Sequence, residues 1–362
     1  MTATMDALAT PLDLSAVRRA VDDCLERFLD SKARAAAAQR MPTEVTEELS
    51  GFLFAGGKRL RPLLCVCGWR TGPDTSHTTA VVQTAASLEM FHAFALIHDD
   101  IMDRSATRRG RPTVHRALAA HHRLSRGCVA AGRLGNGAAI LVGDLALAWS
   151  DELLHTAGMP QDRLTEVLPL IDTMRTEVLY GQYLDLLATG DLTGSADIPL
   201  RVIRYKTAKY TCERPLHIGA TLAGADSRAL ESLSAYALPL GEAFQLRDDL
   251  LGVFGSPDTT GKSCLDDLRE GKHTVLLALA LRHADPAQRN TLRALVGNPD
   301  LDENTAARIR SIFVDTGARA AVERIIHSRY DQTRQALSRA AFPPPVSHAL
   351  REIADAATAR AA

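Results

Sequence analysis

Apolar residues recur every three or four positions through most of this chain, a spacing that gathers them on one side of a helix. Near the start, Val17, Val21, Cys24, Leu25 and Phe28 share such a face, and Asp13 or Ser15 stands where a cap is needed. A second run, from Thr43 to Phe54, stops at Gly56-Gly57, a C-terminal glycine signal. The same spacing predicts helices over 62–71, 77–104, 111–122, 136–157, 161–189, 199–223, 227–254, 272–284, 286–296, 303–316, 318–340 and 345–359. Segments 104–110, 124–135, 190–198, 255–265 and 297–302 are rich in Gly, Ser, Pro or Asp and read as loops. Neither strand alternation nor an internal repeat breaks the pattern. The predicted fold class is all-α, with residues 1–13 and 357–362 frayed at the ends.

Composition agrees: aromatic residues make up only 5% of the chain while alanine and leucine abound, which favours helix over strand. A length of 362 residues would accommodate two domains. No composition shift or polar linker divides the chain, so residues 1–362 read as a single domain. A formal net charge of -1 argues against nucleic acid as the main partner. The cysteines at 24, 65, 67, 128, 212 and 264 form no CxxC pair and read as free thiols of a reducing compartment. Met1 to Asp13 lacks a signal-like charged and apolar region, and no apolar run approaches the roughly 18–20 residues of a membrane span. The expectation is a soluble, cytoplasmic protein.

Charge clustering carries the chemistry. His98-Asp99-Asp100-Ile101-Met102-Asp103 ends an apolar run, and Asp99 and Asp103 share a helix face at i and i+4. Clustered acids repel unless a cation sits between them, and Mg²⁺ favours oxygen ligands shared with substrate phosphates. A second acidic pair, Asp248-Asp249, lies in Phe244-Gln245-Leu246-Arg247-Asp248-Asp249-Leu250-Leu251-Gly252. Two such helices face to face would set acids on opposite walls of a cavity, with Mg²⁺ and a diphosphate between them. An isolated acidic pair is ordinarily a solvated face; two in apolar surroundings are not. Bases follow: Arg108-Arg109, and Gly56-Gly57-Lys58-Arg59-Leu60-Arg61-Pro62, where glycines let backbone and cation approach an anion closely. The bland alternative is a helix end followed by solvated bases.

Taken together, GGKRLRP, HDDIMD with RRGRPTVH, YGQYLDLL, YKTAKYTCERPL, FQLRDDLLGVFG and GKSCLDDLREGKHT resemble the trans-isoprenyl diphosphate synthases, the polyprenyl synthetase family. The motifs run in the family's order from Gly56 to Thr274. The resemblance implies a large helical bundle around a central cavity, of the isoprenoid synthase type, and a likeness to geranylgeranyl and farnesyl diphosphate synthases. It implies Mg²⁺, three ions when diphosphate is bound, held by Asp99, Asp103 and Asp248, with Asp100 in support and Asp249 acting through water. It puts Arg108, Lys206 and Lys262 on an allylic diphosphate, and Lys58, Arg61, His92 and Arg109 on isopentenyl diphosphate. Thr207, Gln182 and Gln245 would lie beside the reacting carbons, and Asp185 behind them. Arg108, Lys206, Thr207 and Gln245 form the catalytic set, and the loop 255–265 with Lys262 is a candidate lid. The family also implies a homodimer.

Gly252 departs from the family pattern: many members carry a third aspartate there, and glycine supplies no ligand. Asp266-Asp267 reads as loop charge or a cap, and His98, His115, His121 and His122 receive no role. A growing chain should run down the helix that leads to Asp99. Ala95 lies almost directly below Asp99, Phe91 roughly 12 Å below it, and Phe94 about 7.5 Å below and turned to the side. An aromatic five residues before the first aspartate with a small residue at four resembles the geranylgeranyl type, so a C20 product is predicted, with C15 or a longer chain as alternatives. A class I terpene cyclase and a non-catalytic subunit are the other readings; the second acidic pair and GGKRLRP oppose the first, and the intact acids oppose the second.

Overall fold

Helices account for nearly all of residues 12–255 and 264–358, the parts this computed structural model describes. The chain begins with α1 (Leu14–Ala38), α2 (Glu44–Phe54), α3 (Leu60–Trp69) and α4 (Thr78–Met102). A two-residue antiparallel ladder, β1 (Thr107–Arg108) with β2 (Arg111–Pro112), precedes α5 (Val114–Arg126), α6 (Cys128–His155) and α7 (Gln161–Ala188). α8 (Asp197–Val202) widens into a π-helix (Ile203–Glu213) that tightens again as α9 (Arg214–Leu222). Then come α10 (Ser227–Phe254), α11 (Asp266–Glu270), α12 (Val275–His283), α13 (Pro286–Leu295), α14 (Glu303–Asp315), α15 (Ala318–Arg339) and α16 (Pro344–Thr358). The expected all-α class holds.

α4 lies at the centre, packed against α1, α3 and α6, and is apolar nearly all round because neighbours cover it on every side. One apolar cluster joins it to Val17, Leu64, Trp69, Leu154 and Tyr236, while a second gathers the end of α10 with α12, α14 and α15 around Phe313. By length and composition α4 could cross a membrane, contrary to the expectation that no run approaches that length. Its most apolar window is 72% buried inside the protein, as befits a core helix.

Several boundaries differ from the predicted ones, each for a physical reason. The segment 104–110 and the start of the next predicted helix form a hairpin whose tip, Arg109-Gly110, adopts φ of 54° and 73°. Two successive positive-φ residues are what a tight hairpin turn requires. α6 starts at Cys128 rather than 136, so 128–135 is helix and not loop. Gly135 marks close packing there: a Cβ would meet Ala119 N at 2.9 Å. At the ends, Asp13 caps α1, accepting from Ser15 N at 2.8 Å, and Leu12 is buried. α16 runs to Thr358 with Ala357 buried, so residues 12–13 and 357–358 are not frayed. α12 begins at Val275 instead of 272, leaving Lys272-His273-Thr274 outside the helix.

Candidate active site

The two acidic segments end α4 and α10, and the space between them is a cavity of about 540 Å³. Asp99, Asp248, Asp249, Arg108, Lys206, Thr207, Gln182, Asp185 and Gln245 all line it, as do Lys58, Arg61, His92, Arg109, Phe94 and Ala95. Two predicted site residues stand elsewhere among the described residues. Asp103 is covered by Lys272, 3.0 Å from its Oδ2, and Phe91 is buried behind Phe94 with ring centroids 5.2 Å apart. Lys262, and with it most of the expected lid, lies outside the described residues.

The first acidic wall is laced with cations. Arg108 Nε donates to both oxygens of the buried Asp100 carboxylate, at 2.9 and 2.8 Å, and its Nη2 reaches Asp99 Oδ2 at 3.3 Å. Such a two-pronged grip fixes the guanidinium plane. Lys206 Nζ bridges Asp99 Oδ1 at 3.1 Å and Asp185 Oδ2 at 2.7 Å. Burial alone would raise the Asp99 carboxyl, but Lys206, Lys272 and Arg108 together hold it well below the usual range. Burial would likewise lower the Lys206 ammonium, and Asp99 and Asp185 raise it instead. Both groups are therefore charged at neutral pH.

Sequence reasoning missed Lys272. It pairs with Asp103, with Glu270 at 3.1 Å and with Asp267 at 3.7 Å, which lift its ammonium well above the ordinary value against the opposing effect of burial. The signal was a lysine just after the acidic run Asp266-Asp267-Leu268-Arg269-Glu270, in a segment read as the start of a helix. Asp266 and Asp267 are not loop charge: both line the cavity from the first turn of α11.

On α10 the environment reverses. Asp249 accepts a hydrogen bond from Gln245 Nε2 at 2.8 Å, and Gln245 Oε1 accepts from Thr207 Oγ1 at 2.7 Å. Burial, with Asp267 and Asp248 nearby, pushes the Asp249 carboxyl up to about 7. Thr207 and Lys206 reach the cavity from the π-helix, together with Tyr210 and Thr211. α7 lies so close to this segment that a Cβ on Gly181 would stand 2.8 Å from Lys206 Cα.

A separate cationic group faces the same cavity. Gly56 and Gly57 take φ of 103° and 133°, and a Cβ on Gly57 would meet the Arg109 guanidinium at 2.9 Å. Glycine is thus what lets Arg109 donate to Gly56 O. Arg61 stacks 4.2 Å from the Tyr210 ring centroid and donates to Thr211 Oγ1 at 2.6 Å, while its buried Nε has no hydrogen-bond partner among the described residues. His92 pairs through Nδ1 with Tyr210 Oη at 3.3 Å, and burial with Arg61 beside it keeps the imidazole neutral. Arg59 turns away, bound to Asp22 at 2.7 Å and Glu89 at 2.9 Å, and anchors the loop. The adjacent arginines of the hairpin thus serve different places, Arg108 the acidic wall and Arg109 the glycine loop.

Whether Mg²⁺ suits these residues is decided by donor chemistry. Among the described residues no group of three or more His, Cys, Asp or Glu forms a ready metal cage. Hard carboxylate oxygens on two walls, with the buried Asp103 Oδ2 held by the Lys272 ammonium alone, do fit an ion that takes few protein ligands and shares its shell with a diphosphate.

A family model described as polyprenyl synthetase matches residues 43–313. The chain belongs to the polyprenyl synthetase family. Geranylfarnesyl diphosphate synthase of Aeropyrum pernix is 34% identical over 302 residues, 81% of this chain and 88% of that protein. Geranylgeranyl diphosphate synthase of Saccharolobus solfataricus is 32% identical over 272 residues, 74% of this chain and 76% of its own length. In three dimensions the chain is similar to the crystal structure of geranylgeranyl pyrophosphate synthase from Corynebacterium glutamicum, complexed with isoprenyl diphosphate and magnesium. The TM-score is 0.92 and the identity 40%, covering 97% of this chain and 100% of that one. This polyprenyl synthetase is accordingly an enzyme, a prenyltransferase.

Proposed function

We propose that the protein is a Mg²⁺-dependent trans-prenyl diphosphate synthase that joins an allylic diphosphate to isopentenyl diphosphate and releases mainly a C20 product. The observation that carries this reading is two separate cationic groups facing one cavity. One, of Arg108, Lys206 and Lys272, sits among acids; the other, of Lys58, Arg61 and Arg109, belongs to the glycine loop and the hairpin. A terpene cyclase has no use for the second group. A non-catalytic subunit has no use for acids kept ionised at such a cost in desolvation.

Bound Mg²⁺, three ions with the diphosphate as the family resemblance has it, would neutralise charge on the leaving diphosphate from Asp99, Asp103 and Asp248. Arg108, Lys206 and Lys272, already aimed at this wall, would stabilise the same oxygens as the allylic carbon–oxygen bond breaks and its electron pair leaves with them. Lys58, Arg61 and Arg109 would hold isopentenyl diphosphate so that its double bond lies against the cation and forms the new carbon–carbon bond. The departed diphosphate would take the proton whose loss leaves a trans double bond. Thr207, Gln245 and Gln182 would flank the reacting carbons, and the neutral His92 keeps a further charge away from them.

Phe94, Ala95, Leu96 and Leu179 supply apolar lining to the cavity. In this reading Ala95 would leave room for the chain below Asp99, and Phe94, edge-on to His98 at 4.8 Å, would form the floor. Two further features support the wider reading. Leu179, Tyr180, Tyr183 and Leu187 of α7, with Leu141 of α6, are exposed, an apolar face suited to a second copy of the chain. The cysteines are all free, in keeping with a cytoplasmic setting.

Incubation with isopentenyl diphosphate, allylic primers and Mg²⁺, followed by sizing of the hydrolysed alcohols, should give mainly C20 and nothing after EDTA. A main product of C30 or longer would sink the short-chain reading. Phe94→Ala should lengthen the product by at least one five-carbon unit, with Phe91→Ala the weaker of the two because its ring stands behind. Unchanged length in Phe94→Ala would move the floor to another helix.

A further inference from the structure

From Arg104 to Gly143 the chain carries eight arginines and no lysine, aspartate or glutamate, although its net charge is only -1. Within this stretch α5 and α6 meet at Gly127, which takes φ of 74°. Residues 123–130 are all exposed around that joint, and they include two large apolar side chains, Leu124 at 101% and Val129 at 82%. Arg123, Arg126 and Arg133 stand exposed beside them. Glu48 and Glu44 of α2 reach α5 before the joint, at His121 and His122, 3.5 and 3.2 Å away. Among the described residues no ion pair involves Arg123, Arg126 or Arg133. Basic residues in the last turn of a helix complement its dipole, which accounts for Arg123 and Arg126 on their own. It does not account for Arg133, nor for a leucine and a valine held in water on either side of a turn.

The joint also has a definite place in the fold. α6 runs antiparallel to α4: Gln83 Nε2 donates to Leu153 O at 2.9 Å, and His98 Nε2 lies 3.1 Å from Ile140 O. Val129 is eleven residues before Ile140, so it stands roughly 16 Å beyond His98 along the axis, whereas Asp103 stands only about 7.5 Å beyond it. The turn therefore projects past the first acidic wall, at the same end of the bundle. The exposed face ascribed above to a second copy begins at Leu141, about three turns back along α6.

We propose that the α5–α6 turn docks the protein reversibly on an anionic lipid bilayer, with Leu124 and Val129 entering the interface and Arg123, Arg126 and Arg133 on the headgroup phosphates. A bilayer answers both halves of the pattern at once, since it offers negative headgroups and an apolar layer a few ångströms beneath them. Arginine suits the boundary because its stem lies along apolar material while the guanidinium stays with phosphate. A nucleic acid would satisfy the arginines and leave Leu124 and Val129 in water. A tip-to-tip contact between two copies would set arginine against arginine. The docking stands independently of the prenyl-transfer reading, which supplies its use. Under that reading it brings the acidic end of the cavity, where a diphosphate is handled, beside the layer that the product's hydrocarbon tail prefers.

The test is co-sedimentation of the full chain, without substrate, with vesicles of equal parts phosphatidylcholine and phosphatidylglycerol and with vesicles of phosphatidylcholine alone. The parent should bind the anionic vesicles at least about tenfold more tightly, and high salt should release it. Arg123→Gln/Arg126→Gln should weaken that binding about twentyfold, and Leu124→Ser/Val129→Ser about tenfold. All four side chains are exposed, so both variants should keep the parent's melting temperature and its mass in solution. The proposal is overturned if the parent does not bind the anionic vesicles, or if neither pair of substitutions weakens the binding. It is also overturned if the arginine pair matters and the apolar pair does not, which would make the turn a binder of soluble polyanions. Variants that change the mass of the vesicle-free protein would overturn it as well, by making the turn a contact between copies. A parent that condenses no prenyl substrate yet binds the vesicles sinks only the prenyl-transfer reading. An active parent that ignores the vesicles sinks only the docking.

Discussion

The walls at the ends of α4 and α10 carry similar acids in opposite electrostatic states. Asp99 and Asp103 face Arg108, Lys206 and Lys272, and those cations outweigh burial at Asp99. Asp249 has acids for neighbours, among the described residues no cation pairs with it, and burial takes its carboxyl up to about 7. Asp99 on the first wall is thus charged before any ligand arrives, although burial raises the carboxyl of its neighbour Asp103, whereas Asp249 on the second becomes fully charged only when something positive joins it. A site that must gather metal and diphosphate together gains from this asymmetry, because the incoming cations relieve the strained side and free the lysines of the other for phosphate.

The contrast can be broken at its strongest point first. Asp99→Asn removes the acid that organises Lys206 and Arg108, and kcat should fall about a thousandfold with the melting temperature little changed. Asp249→Asn should cost much less; equal losses would mean the walls do the same work. Arg108→Lys comes next, with an expected loss of about tenfold, since an ammonium cannot reproduce the two-pronged hold on Asp100 while reaching Asp99. Full activity in this variant would reduce Arg108 to a bulk charge. The smallest effect concerns stability. A carboxyl raised from 3.8 to about 7 binds its proton more tightly in the folded chain than in the unfolded one. The ligand-free protein should therefore lose stability as pH rises through that window, and Asp249→Asn should flatten the slope by about 2–4 °C in melting temperature. A melting curve that tracks the parent from pH 4 to pH 7 would remove Asp249 from the account. Mg²⁺ with pyrophosphate should reverse the parent's slope.

Much of this was legible in the chain itself. Apolar spacing placed the long helices, and α4, α7 and α10 fall within about two residues of the predicted bounds. The charge clusters announced Asp99, Asp248, Arg108, Lys58 and Arg61, and the family resemblance added Lys206; the fold brings all of them to one cavity. Glycine misled where it marks contact and not a break. Residues 124–135 read as loop because of their glycines, yet Gly135 lets α5 and α6 touch. The hairpin at Thr107–Pro112 was hidden because two-residue strands have no alternation to show.

What the sequence by itself determined was the helical class, the acids and bases, and the order in which they occur, because periodicity and side-chain charge are local properties. Only the tertiary structure decided which cation meets which acid. Lys272 spans to Asp103, Asp267 packs against Gly252, and Phe91 retreats behind Phe94 because helices far apart in the chain pack together there. The π-helix was likewise invisible to periodicity, since its wider turn is fixed by packing between α7 and α10. Pairings and pKa values depend on distance and burial, and neither exists until the chain is folded.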